Sequence, residues 1–401
     1  MIDENQRQHL STQKIYPNVN NNDLLEFRLP PNAKGHLDLN NVLLHFIVSL
    51  PKPKTPNTVI KPQNLFGPKQ FSTVEVRLNG ETVTRRSCSN EFFLTSYFHN
   101  LCNYSTDYQV SAMRPVGIFD YTQSTTTALT AMTAAQKILF KNSRTYIIDQ
   151  TEYEIVMSID STIFYTNDLL PSNTSLDLSF ERIGCASSSI LMSTSDLTNT
   201  TPNTLTDVYL IAPFKQDEEL FRLERNAIAR PIKLHFDDYV VRRFNIKSGA
   251  PSVILSDVIN GPFPSKLFWG VQSIKAYTGS AEESSTRFNR QNMTKANLYI
   301  NGKEADDFPV TMSEKHVSLP FVKYLENTNK QQNGLLSKSV SLIEFENSNF
   351  ILSATLDPNS SGSLSFEFEF SEEIASELVL ITCGVYEKQI KIGHDRNFQI
   401  V

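Results

Sequence analysis

Beyond an initial polar stretch, apolar and polar residues alternate along much of the chain with a period of two, the spacing of a strand half-buried in a sheet. The clearest run is Ser363-Leu364-Ser365-Phe366-Glu367-Phe368-Glu369-Phe370, which puts apolar side chains on one face and hydroxyls or carboxylates on the other. Thr73 to Leu78 alternates in the same way and then meets Asn79-Gly80. Asn-Gly between such runs is the strongest short-range hairpin signal, because both turn positions need positive φ. Val83 and Thr84 continue on the return strand, and Leu298 to Ile300 runs into a second such turn at Asn301-Gly302. Further strands are predicted at Leu24–Leu29, Val42–Leu50, Thr145–Ile148, Tyr153–Ile159, Leu176–Arg182, Val208–Ala212, Val253–Ser256, Lys266–Ala276, Ala296–Ile300, Phe350–Leu356 and Glu377–Tyr386. Helices are few. Asn90 to Tyr104 has a capping residue and aromatic or aliphatic side chains at helical spacing, and Asp217 to Asn226 opens with Glu218 and Glu219 in its first turn. The chain is therefore all-β with short helical inserts.

Residues 1–22 are mostly polar and end in an asparagine-rich run, which predicts a flexible N-terminal arm. The polar segment from Ser193 to Thr204 divides the rest near its middle. A chain of 401 residues exceeds what one core usually serves, roughly 250 to 300 residues. The expected organisation is a first β unit over 23–195, a linker over 196–206 and a second β unit over 207–401. Each half carries a strand entering an Asn-Gly turn and later a Leu-Ser-Phe-Glu peptide, at offsets of 222 and 186 residues. These echoes support two similar units only if their loops differ in length. Ser111–Gln136 and Gly279–Asn292 are poor in strand signal and read as long loops projecting from one end of a scaffold.

Composition narrows the function. The balance of 43 acidic against 37 basic residues, with no long run of like charge, lacks the basic stripe that nucleic-acid binding needs. The longest mostly apolar stretch, Val42 to Leu50, falls well short of the roughly 20 residues of a membrane span. The polar N-terminus does not read as a signal peptide. Cys88, Cys102, Cys185 and Cys383 are far apart and read as packed thiols. No phosphate-binding loop, GxSxG or HExxH occurs. His99 and Cys102 sit three apart on a predicted helix, but two ligands alone make a poor zinc site. Asp237-Asp238 and Asp306-Asp307 read as strand ends or solvated turns, and Trp269 as core. His36, His45, His235, His316 and His394 show no partner spacing. No catalytic, cofactor-binding or metal residue is predicted, and no cofactor. The residues singled out are the structural turns Asn79, Gly80, Asn301 and Gly302.

The order of segments resembles a known family, the double jelly-roll major capsid proteins of Polinton-type elements, adintoviruses and virophages. The segments that carry the resemblance begin with Val42 to Phe46, the hairpin ending at Gly80, the helix around Tyr97, Tyr153 to Phe164 and Leu169-Leu170-Pro171 leading to Phe180. In the second half they are Ala229 to Ile232, Gly261 to Leu267, Leu298 to Gly302, Gly362 to Phe370 and Asp395-Arg396-Asn397. Asp357 departs from the expected pattern, and the loops are short. The resemblance implies two tandem eight-stranded jelly rolls with short helical inserts. It further implies a non-enzymatic major capsid protein whose homotrimer forms a pseudo-hexagonal, hexon-like capsomer tiling the icosahedral shell of a DNA virus or virus-like element. The partners it implies are copies of the same chain, neighbouring capsomers, and penton and minor capsid proteins, all located in the virion. The long loops would face outward. The alternatives are another β-sandwich virion protein, a penton or spike, and a carbohydrate-binding β-sandwich.

Overall fold

The structure, a computed structural model, describes residues 8–32, 35–49, 60–84, 91–104, 114–117, 152–183, 191–193, 204–226, 231–280, 283–313, 316–328, 342–347, 349–393 and 398–400. The expected strand at 145–148, most of the loop at 111–136, most of the linker at 196–206, Cys88, Cys185, His394 and the 395–397 ending lie outside them.

The principal strands form two consecutive sets of eight. The first set is β1 (Gln8–Ile15), β2 (Leu24–Leu29), β3 (Leu43–Ser49), β4 (Phe71–Leu78), β5 (Glu81–Thr82), β6 (Glu152–Ser158), β7 (Leu176–Arg182) and β8 (Thr204–Gln216). The second is β9 (Ile232–Ile246), β10 (Ser252–Pro262), β11 (Lys266–Ser273), β12 (Met293–Ile300), β13 (Lys303–Glu304), β14 (Leu352–Thr355), β15 (Ser361–Phe370) and β16 (Leu378–Ile392). All pairings among these strands are antiparallel. In the first set one sheet runs β1-β8-β3-β6 and the other β2-β7-β4-β5. In the second the sheets run β9-β16-β11-β14 and β10-β15-β12-β13. The two orders are identical once eight is added to each number of the first. Eight antiparallel strands in two sheets with this interleaving make a jelly roll, which handles its edges by packing sheet on sheet. The chain is a double jelly roll.

Alternation along the strands dictates each core. Phe46 of β3 meets Phe71 of β4 edge-on at 5.7 Å, and Phe71 lies 5.2 Å from Phe180 of β7. In the second sandwich Trp269 of β11 packs at 5.1 Å on Phe366 of β15, and all of these rings are almost wholly buried.

Several expectations change. The N-terminal arm contains a strand: Gln8 to Ile15 pairs with Gln216 to Leu210 as the edge of the first sandwich. Its Ser11-Thr12-Gln13-Lys14 segment is exposed, so backbone pairing holds it without apolar alternation, and the sequence pattern stays silent. The expected second unit began at 207, yet β8 runs from Thr204 to Gln216 inside the first sandwich. A bulge with Asp207 at positive φ and a mid-strand Pro213 disguise this strand. Asp237 and Asp238 do not end a strand but sit inside β9, where Asp237 is exposed and the buried Asp238 is paired with Lys388 of β16. The strand expected over Lys266–Ala276 stops at Ser273, whose hydroxyl accepts from the Ala276 N–H (3.0 Å) and caps a short helix.

Five α-helices are described. They are α1 (Glu91–Asn103), α2 (Glu218–Arg225), α3 (Ile274–Thr278), α4 (Ser318–Asn327) and α5 (Leu342–Asn347). The first two match the predicted helices, and Asp217 caps α2 by accepting from the Leu220 N–H at 2.9 Å.

Candidate functional site at the junction of the two sandwiches

The predicted turn residues build two matching hairpins. Asn79 and Gly80 have φ of 50° and 86°, and Asn301 and Gly302 have φ of 52° and 76°. Each asparagine also stitches its turn to a neighbouring strand. Asn79 donates its N–H to the Ser175 carbonyl (3.0 Å) and accepts from the Ser175 N–H (2.9 Å). Asn301 does the same with Ser363, at 2.9 Å in both directions. These pairs fix the correspondence between the sandwiches: Asn79 matches Asn301 and Ser175 matches Ser363. The shared Leu-Ser-Phe-Glu peptides are then two residues out of step, a product of repeated alternation and not an alignment. The turns lie at a strand end of each sandwich.

A concentration of buried polar chemistry lies where α1 of the first sandwich meets the second. Helix α1 is buried nearly all round, through Phe92, Phe93, Leu94, Tyr97 and Phe98, which is the pattern of a helix enclosed by protein. Tyr97 stacks on Phe288 at 5.2 Å and donates its hydroxyl to Asn349 Oδ1 at 2.9 Å. Asn103 donates to the Tyr239 hydroxyl of β9 at 3.0 Å, and the Tyr324 hydroxyl of α4 donates to the Leu101 carbonyl at 3.2 Å. Gly270 makes room for this layer, since a Cβ there would lie 2.6 Å from Phe288 Cδ1 and 2.7 Å from Ile351 Cδ1.

His99 stacks on Tyr165 (4.1 Å) with Tyr239 edge-on, and its Nδ1 stands 3.6 Å from Asp160 Oδ1. Asp160 accepts from the hydroxyls of Ser96 and Ser158. Burial pushes the Asp160 carboxyl up from 3.8 to about 6, partly offset by those hydroxyls, and pushes His99 down from 6.5 to about 3. Near neutral pH the imidazole is therefore uncharged. The neighbouring Lys69 is buried, donates to Gln63 Oε1 (2.6 Å), and is pushed far below its ordinary range by burial. Gln63 in turn accepts from the Ser285 hydroxyl at 2.9 Å.

These contacts pack the two sandwiches against each other. His99 and Cys102 share the helix as expected, but His99 faces aromatic rings and Asp160. Among the described residues no group of three or more His, Cys, Asp or Glu side chains is placed to hold a metal ion. His36 packs on Phe221 (4.2 Å) beside Glu224, His235 lies near Asp168, and His316 bonds Ser313. His45 sits on the outer face of the first sandwich, between Tyr209 and Glu154. Asp306-Asp307 lies in a turn, with Asp307 paired to Lys323. Trp269 is core. Cys102 and Cys383 are buried. The segment 279–292, expected to face outward, instead buries Ser285 and Phe288 in the junction. Sequence reasoning found α1 but not its role, because an all-round apolar helix does not name its partner. No helix of the described residues is long and apolar enough to cross a membrane.

Two jelly rolls stand in tandem, joined through a buried helix, with a small cavity between them lined by Thr95, Asp160 and Thr162 on one side and Asp238 and Tyr239 on the other. No family model and no curated relative matches the sequence. Solved structures do. The chain is similar to the Sputnik virophage structure at a TM-score of 0.63 and 12% identity, covering 100% of this chain and 90% of that one. It is similar to the mavirus major capsid protein at 0.54 and 11%, covering 97% and 90%. The PBCV-1 virus capsid model follows at 0.53 and 8%, covering 98% and 96%. These likenesses span both sandwiches and agree on the fold.

Proposed function

We propose that the chain is a non-enzymatic major capsid protein located in the virion. In this reading its homotrimer forms a pseudo-hexagonal capsomer of an icosahedral DNA virus or virus-like element of the Polinton, adintovirus or virophage type. The observation that carries the reading is the exact repetition of the eight-strand order over nearly the whole chain, together with end-to-end likeness to virophage and virus capsid structures. Three copies of a chain with two equivalent sandwiches present six similar towers, which suits packing among six neighbours. The chain divides, in this reading, after Gln216, with α2 as the connection. Neighbouring capsomers, penton and minor capsid proteins are the expected partners. A lone penton or spike needs only one such sandwich. Size-exclusion chromatography with light scattering tests the proposal: a stable species near three times 45.4 kDa is expected, and a monomer under every condition overturns it.

A further inference from the structure

The two sandwiches are unequally covered. In the second, strand β16 is buried on both faces from Leu378 to Val385. The outer side of its sheet meets α1, through Asn103 against Tyr239 of β9, and Phe288, against Gly270 of β11. The corresponding sheet of the first sandwich carries similar near-continuous apolar runs, Val42 to Val48 in and before β3 and Val208 to Ala212 in β8. Runs of this kind belong to strands covered on both sides. Yet on the outer face of this sheet Leu43, Ile47, Val156 and Ile211 are only partly buried within one chain, around the buried His45 and Tyr209. At its β1 edge Tyr16 is 62% exposed and lies 5.9 Å from Tyr209.

The chain also carries an unused counterpart. The element that covers the second sandwich, α1, is inserted between β5 and β6 of the first. The insertion at the same place in the second sandwich, between β13 and β14, carries α4 and α5. Leu319 and Val322, three residues apart on α4, are 59% and 39% exposed, and Leu342 on α5 is 39% exposed. Among the described residues six large apolar side chains are exposed, and four of them (Tyr16, Leu319, Val322 and Leu342) fall on these two surfaces.

We infer that α4 and α5 of one copy seat on the outer face of β1-β8-β3-β6 of a second copy of this chain. The contact repeats between chains what α1 does within one. It is head-to-tail, so copies joined this way close into a ring when the rotation permits. The inference rests on the capsomer proposal and adds the surfaces that would build it.

The test compares native masses of the full-length protein by mass photometry. Wild type is expected near three times 45.4 kDa. The double variant Leu319→Glu with Val322→Glu, and separately Tyr16→Glu, are expected to run as monomers with unchanged far-ultraviolet circular dichroism. Ile254→Glu, an exposed apolar residue on the other sheet, is expected to leave the trimer intact. As a check that does not depend on charge insertion, Tyr16→Cys mixed with Leu319→Cys is expected to give an oxidised heterodimer that neither variant gives alone. Trimers that survive both glutamate variants, with no cross-link, overturn this interface while leaving the capsomer intact. A wild type that is monomeric throughout overturns the capsomer proposal itself.

Discussion

Asp160 offers a quantitative test of how the junction is held. Its carboxyl is almost wholly buried, and burial raises it from 3.8 to about 6 despite the hydroxyls of Ser96 and Ser158. The folded protein keeps this proton across a range in which the unfolded chain has lost it. Stability from this group is therefore fully present only below pH 3.8, falls as pH rises from there to about 6, and stays lowest above that. Raising the carboxyl from 3.8 to about 6 corresponds to about 3 kcal/mol, at about 1.4 kcal/mol per tenfold. His99, 3.6 Å away and held down to about 3, carries no charge above pH 4 that could offset the cost. Asp160→Asn removes the charge and keeps an oxygen acceptor, while the serine hydroxyls can rotate to accept from the new amide. At pH 8 the variant is expected to be more stable than wild type by up to about 3 kcal/mol, with the gain shrinking through pH 6 towards zero below pH 3.8. Urea unfolding followed by the fluorescence of Trp269, the single tryptophan, supplies the measurement. Any packing difference between Asp and Asn is common to all pH values, so the slope of the difference is diagnostic. A difference that is the same at pH 4 and pH 8, or that favours wild type more at pH 8, refutes the reasoning.

His99→Phe probes the opposite sign. The depressed imidazole leaves the unfolded chain binding an extra proton between pH 6.5 and about 3, so wild type loses stability as pH falls through that window; thermal melts at pH 7 and pH 4.5 should show a smaller acid loss in the variant, which keeps a ring to stack on Tyr165. Gly270→Ala forces a Cβ against Phe288 and Ile351 and should cost about 1 to 3 kcal/mol, read as a lower melting temperature. Asn79→Ala and Asn301→Ala each lose a positive-φ turn residue and the bond to Ser175 or Ser363, at about 1 to 2 kcal/mol apiece. Because the two stitches are equivalent and distant, the double variant should lose the sum.

The sequence made the all-β class legible, because Ser363 to Phe370 and Thr73 to Leu78 alternate openly, and both Asn-Gly turns declare themselves through the φ they demand. It hid the elements whose stability is borrowed from elsewhere. Strand β1 is a polar edge held by backbone pairing to β8. Strand β8 is broken in pattern by Asp207 and Pro213, and the boundary expected at 207 falls within it. Strand β9 carries Asp237-Asp238 and Arg242-Arg243, affordable only because it too is an edge whose acidic Asp238 finds Lys388. The junction was legible only as an aromatic helix. That Tyr97, His99 and Asn103 would meet Phe288, Tyr239 and Asn349 depends on contacts between residues more than a hundred positions apart, for which the pattern of one chain carries no signal.

The central claim is that two equivalent jelly rolls per chain assemble as a capsomer, and cryo-electron microscopy of the purified full-length protein tests it most directly. The expected result is a three-fold symmetric particle with six β-sandwich towers in a pseudo-hexagonal outline, two from each chain. A population consisting only of single chains with two towers, at concentrations where capsid proteins assemble, would contradict it.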